Sequence, residues 1–92
     1  MKAEENFKLI NLKLPTKDKN YYLAVLRIFT EHMLEQFPEC AYVQYGKQDL
    51  RGGYSIYLSN ASHCGVRQRI FESKEQMLGF IVGYNQAIYK GL

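Results

Sequence analysis

Ala41-Tyr42-Val43-Gln44-Tyr45-Gly46, Tyr54-Ser55-Ile56-Tyr57-Leu58-Ser59 and Val66-Arg67-Gln68-Arg69-Ile70-Phe71 are three short runs, rich in aromatic and β-branched residues, in which polarity alternates. They are separated by Lys47-Gln48-Asp49-Leu50-Arg51-Gly52-Gly53 and by Asn60-Ala61-Ser62-His63-Cys64-Gly65, both rich in turn-forming residues. The pattern predicts a three-stranded antiparallel meander. Successive side chains of a strand point to opposite faces, so each run divides into two sets. With Tyr54, Ile56 and Leu58 directed into a core, Ser55, Tyr57 and Ser59 point away, and Val43 and Tyr45 point inward while Tyr42 and Gln44 point outward. Giving Val66, Gln68 and Ile70 to the core side places Arg67, Arg69 and Phe71 on the open face.

The period changes on either side of the meander. From about Asp18 to Phe37, apolar residues fall at Tyr22, Val25, Leu26, Phe29, Met33 and Phe37, the spacing of an amphipathic helix, with Arg27, Glu31 and Glu35 opposite. Thr16 or Asp18 can cap its start, and Pro38 marks its end. Before it, Phe7 to Leu14 reads as a strand, because Ile10, Leu12 and Leu14 alternate with polar neighbours up to Pro15. Ser73-Lys74-Glu75-Gln76 has the form of a capping box that opens a second helix running to about Tyr89, with Gly91 beyond. The expectation is a single α+β domain over residues 1–92: a two-layer β-α-β-β-β-α fold, an antiparallel sheet with two helices packed on one face.

The second helix has two apolar stripes, Met77, Phe80, Ile81, Tyr84 and Ile88 beside Leu78, Val82 and Tyr89. Gly79 and Gly83 each cost about 1 kcal/mol relative to alanine in a helix interior. Close approach of the helix to its neighbours would offset that, as would a subunit interface, which makes Leu78, Val82 and Tyr89 a candidate homodimer surface. The spacing of the glycines signals membrane dimerisation only within a long apolar span, which is lacking.

Of the 92 residues 47% are hydrophobic and 23% charged, which is a globular composition. The charge-free run Gln76 to Tyr89 is too short and too polar to cross a bilayer core of about 30 Å, so no membrane partner is expected. Met1 to Asn6 lacks an apolar stretch behind a basic one, which predicts no secretory leader and residence in the cytoplasm. Cys40 and Cys64 lie far apart and form no metal-ligand spacing, so neither a disulfide framework nor a metal site is expected.

The net charge of +3 is unevenly placed. Residues 1–46 balance six basic against six acidic side chains, and residues 75–92 balance Glu75 against Lys90. The whole excess lies in residues 47–74, where Lys47, Arg51, Arg67, Arg69 and Lys74 meet only Asp49 and Glu72. Lys47, Arg51, Tyr57, Arg67 and Arg69 are therefore the candidate binding residues. Guanidinium forks suit phosphates and tyrosine rings suit bases, while Tyr and Arg are equally the residues enriched at protein–protein anchors.

Chemistry of other kinds has weaker support. His63-Cys64 are adjacent, a poor arrangement for a thiol and its base, and His32 lies at the flank of a helix stripe. Arg51-Gly52-Gly53-Tyr54 leads into a strand, where a phosphate-cradling loop would lead into a helix. No catalytic residue and no cofactor is expected. A three-stranded sheet followed by a helix, with arginines at 67 and 69, looks like the layout of integrase arm-binding DNA modules over residues 41–89. The helix-sheet-helix order resembles double-stranded-RNA-binding domains, although Ser73-Lys74-Glu75 stands where those carry a lysine pair. In size the chain resembles small phage and mobile-element accessory proteins that block host factors. The expected function is a non-enzymatic binding or regulatory protein engaging a macromolecule, with nucleic acid slightly ahead of an acidic protein surface. The alternatives are an inhibitor of a host protein and a structural homo-oligomer.

Overall fold

A computed structural model describes residues 6–47 and 52–90, with the side chains of 89 and 90 excepted. The elements are β1 (Phe7–Ile10), α1 (Lys19–Gln36), β2 (Tyr42–Lys47), β3 (Tyr54–Ser59), β4 (Gly65–Phe71) and α2 (Lys74–Lys90). Their order is the expected β-α-β-β-β-α, and both helices pack on one face of a four-stranded sheet ordered β1-β2-β3-β4.

The first strand departs from expectation in length and direction. It stops at Ile10 because Asn11 adopts φ 51°, a left-handed conformation that turns the chain. Leu12 and Leu14 then enter the core from irregular chain and not from a strand. β1 pairs parallel with β2, Phe7 opposite Val43 and Leu9 opposite Tyr45, so the sheet is mixed and not wholly antiparallel. A parallel neighbour needs a crossover, and α1 is that crossover. The fit is tight at its end: a Cβ on Gly46 would collide with the carbonyl oxygen of Ile10.

α1 lies chiefly over β1 and β2 and buries Val25, Leu26, Phe29 and Met33 of the predicted stripe together with Thr30, while Tyr22 and Phe37 are half-buried. Asp18 is its N-cap residue but makes no side-chain cap bond. At the other end Phe37 N–H still reaches the Met33 carbonyl before Pro38 takes the chain away. Below this helix Val43 and Tyr45 are fully buried. The Tyr45 hydroxyl and Thr30 Oγ1 share a hydrogen bond of 2.8 Å, so a polar pair at the centre of the core is satisfied. Burial pushes the Tyr45 phenol well above its ordinary pKa, against the smaller effect of the Thr30 bond.

α2 packs over β3 and β4 and against α1. Ser73 Oγ accepts the Gln76 N–H at 3.1 Å as the capping box requires, whereas Gln76 Oε1 reaches back past Ser73 to the Glu72 N–H at 3.2 Å. Asn85, buried on α2, donates from Nδ2 to the Val25 carbonyl at 3.1 Å and ties the two helices together. Met77, Leu78 and Ile81 are buried in the same core. Leu78, assigned above to a dimer surface, spends its side chain inside the chain at 5% exposure. Val82 is half-buried, and the Tyr89 side chain lies outside the described residues. Close helix packing does not explain the two glycines, since a Cβ on Gly79 or Gly83 would meet nothing within 4 Å.

Candidate functional site

The decisive difference from the sequence-based reading is in β4. Ser59 pairs with Gly65, but Leu58 pairs with Arg67 and Ile56 with Arg69, so Val66 is an extra residue in a bulge. Continued without the bulge, the Ser59–Gly65 pairing would have set Val66 opposite Leu58 and put Val66, Gln68 and Ile70 on the helix side. One inserted residue inverts the strand. Arg67, Arg69 and Phe71 therefore share a face with Leu58, Ile56 and Tyr54 toward the helices, and Gln68 and Ile70 take the open face. Two contacts accompany the inversion. The Tyr57 ring lies directly over Gly65, where a Cβ would sit 2.7 Å from its Cζ, and Phe71 reaches the Phe80 ring on α2 at 5.4 Å.

The open face is consequently a different surface from the one expected. Lys8 Nζ sits 4.8 Å above the Tyr42 ring, and the Tyr42 hydroxyl and His63 Nδ1 share a hydrogen bond of 2.6 Å. Beside them a shallow depression is lined by Ile10, Gln44, Tyr57 and Gln68, with Lys47 at its end. No arginine of β4 belongs to this face. Tyr57 thus belongs to the opposite face from Arg67 and Arg69, although it lines one edge opening together with Arg67; Lys47, paired with Tyr54, belongs by alternation to the helix-facing set, and Arg51 lies outside the described residues.

On the helix side the two arginines form a distinct site. The helices leave part of β4 uncovered, and an opening of about 230 Å³ remains between Phe29, Met33 and Phe37 of the α1 end, Phe80 and Tyr84 of α2, and the strand. The Arg67 guanidinium lies 4.4 Å over the Phe37 ring, and that of Arg69 lies 4.5 Å over Phe80 and 5.6 Å from Phe71. Cation–π contacts of this kind hold a guanidinium against a ring without using its N–H donors. Among the described residues neither group forms an ion pair or donates a hydrogen bond to a protein acceptor. The walls are an aromatic cluster: Phe29 stands edge-on to Phe80 at 6.3 Å and to Tyr84 at 5.2 Å, and Tyr84 donates to Gln36 Oε1 at 3.0 Å.

The sequence marked Phe29, Phe80 and Tyr84 as helix-stripe residues; that they wall an opening was not visible there. Phe37, next to Pro38, is the last residue of the α1 stripe in that reading. The thiol–imidazole candidates are not assembled: His63 is turned to Tyr42, and Cys64 Sγ faces the Ser62 carbonyl at 3.9 Å. Cys40 is buried, and desolvation and Glu39 push its thiol pKa up against the pull of Arg67. Among the described residues no cluster of His, Cys, Asp or Glu could hold a metal ion, and no helix is long and apolar enough to cross a membrane. No family model, curated protein or solved structure matches the chain.

Proposed function

We propose that this chain is a non-enzymatic binding protein that engages an acidic surface of another protein through the groove between β4 and the two helices. The observation that carries the reading is the pair of guanidiniums over the Phe37 and Phe80 rings at the mouth of an aromatic opening, with no hydrogen-bond or ion-pair partner among the described residues. Preorganised arginine beside half-buried aromatic rings suits a desolvated, charge-assisted contact with a carboxylate. A duplex would instead favour arginines beside tyrosines on one open face, and the bulge in β4 removes them from it. That puts the acidic protein surface ahead of nucleic acid, in reverse of the order suggested by the sequence.

Selection from a displayed random-peptide library against the whole chain tests the proposal. Acidic sequences with an apolar neighbour should be enriched, and their binding should weaken by at least ~30-fold in Arg67→Ala/Arg69→Ala, the equivalent of about 2 kcal/mol. Enrichment without acidic residues would refute the reading. Generic duplex binding that disappears in the same double variant would hand the site to nucleic acid.

A further inference from the structure

Resting on that reading, we infer that the occupant of the groove is an extended segment of the partner that adds to the sheet as a fifth strand along β4, with acidic side chains at alternate positions. The first support is the edge itself. β4 is the outermost strand, and from Gly65 to Ile70 every residue but the half-buried Val66 is exposed. A strand in that position presents unpaired backbone N–H and C=O groups to one side, a template for another chain. It contains no proline and no lysine to interrupt pairing.

The second support is charge, which excludes one occupant and selects another. A second copy pairing antiparallel about Gln68 would set Arg67 of each chain opposite Arg69 of the other, and like charges directly opposite are unfavourable. An extended acidic segment has the complementary pattern. Its residues i and i+2 stand roughly 6.6–7 Å apart on one face, the same repeat that separates Arg67 from Arg69 on theirs. Glutamate suits these places, because its methylenes lie over the aromatic opening before the carboxylate meets a guanidinium edge. The next place on the same face stands opposite Phe71, whose ring already contacts Phe80, and an aromatic residue there makes a cross-strand aromatic pair. The residues between point to the open side beside Gln68 and Ile70. The recognised pattern is thus two acids and an aromatic at alternate positions, aromatic first in an antiparallel addition and last in a parallel one.

The probes are fluorescein-labelled peptides containing Phe-Thr-Glu-Thr-Glu and Glu-Thr-Glu-Thr-Phe, titrated against the whole chain by anisotropy. One order should bind, and replacing both Glu by Gln should weaken it at least ~10-fold. Two further versions of that peptide carry N-methyl groups on alternate backbone amides, one on each alternate set. A strand pairs through one set only, so one version should lose at least ~10-fold and the other little. In Arg67→Glu/Arg69→Glu the preference should pass to the peptide with Lys in place of Glu, a gain of binding that misfolding cannot imitate. Equal binding by both N-methylated versions, with loss in the arginine variants, would overturn strand addition and leave the groove reading standing. Failure of both orders to bind the wild-type chain, or equal binding of the Glu and Lys peptides, would overturn this inference while the library selection still judges the broader one.

Discussion

The two halves of the sheet's helix-facing side have been finished to different degrees. Under α1, Val43 and Tyr45 are sealed, and the buried hydroxyl pair of Tyr45 and Thr30 is satisfied. Under the edge of α2, the equivalent places on β4 belong to Arg67 and Arg69, which lie on aromatic rings beside an unfilled opening. Both regions are built from strand residues facing a helix. The first is closed to solvent, and the second keeps its strongest donors outward. Charged side chains turned inward on an edge strand also discourage indiscriminate pairing, so the feature that leaves β4 incomplete also restricts what may complete it.

Breaking the sealed half should have the largest effect. Tyr45→Ala should lower unfolding free energy by about 3–5 kcal/mol, measured by denaturant titration. Tyr45→Phe, which leaves Thr30 Oγ1 without its partner, should cost about 1–2 kcal/mol. The same tyrosine sets an alkaline limit. Its pKa is raised in the folded state above the ordinary 10.0, so its contribution is fully present below that value and is lost as pH rises further. Stability independent of pH above 10 in the wild type would contradict its burial.

Next in size is the contact between β1 and β2. Gly46→Ala places a methyl against the Ile10 carbonyl, which backbone must move to relieve, and about 1–3 kcal/mol of destabilisation should follow. Thermal unfolding of this variant near the wild-type midpoint would show that β1 yields easily. In the unfinished half the balance reverses. Arg67→Ala and Arg69→Ala should each change stability by less than about 1 kcal/mol while carrying the binding effect, so a large loss of stability would make the arginines structural. Gly79→Ala and Gly83→Ala, with open space at both positions, should each raise stability by about 0.5–1 kcal/mol. If either instead changes the solution mass measured by light scattering, the glycine face is an interface between copies.

Local rules recovered the element order, the α1 stripe and the Ser73 cap, because each rests on residues within a turn or two of one another. They failed where a distant residue decides. In β4 the sets Val66, Gln68, Ile70 and Arg67, Arg69, Phe71 each contain apolar surface, and alternation alone cannot rank them. The choice accompanies Tyr57 closing on Gly65 and Phe71 meeting Phe80, contacts between elements. The parallel pairing of β1 has the same character, since its partner is chosen across the whole of α1. For the candidate site, the residue types and their segment were legible, and the face was not.

The bulge at Val66 also bears on how the chain folds in time. The β3–β4 hairpin alone has two registers one residue apart, and the contact of Phe71 with α2 supports only one of them. β4 should therefore commit late, after α2 is in place. Phe71→Leu should speed unfolding and leave the folding rate nearly unchanged in stopped-flow measurements. A folding rate slowed in proportion to the lost stability would instead place this hairpin in the nucleus.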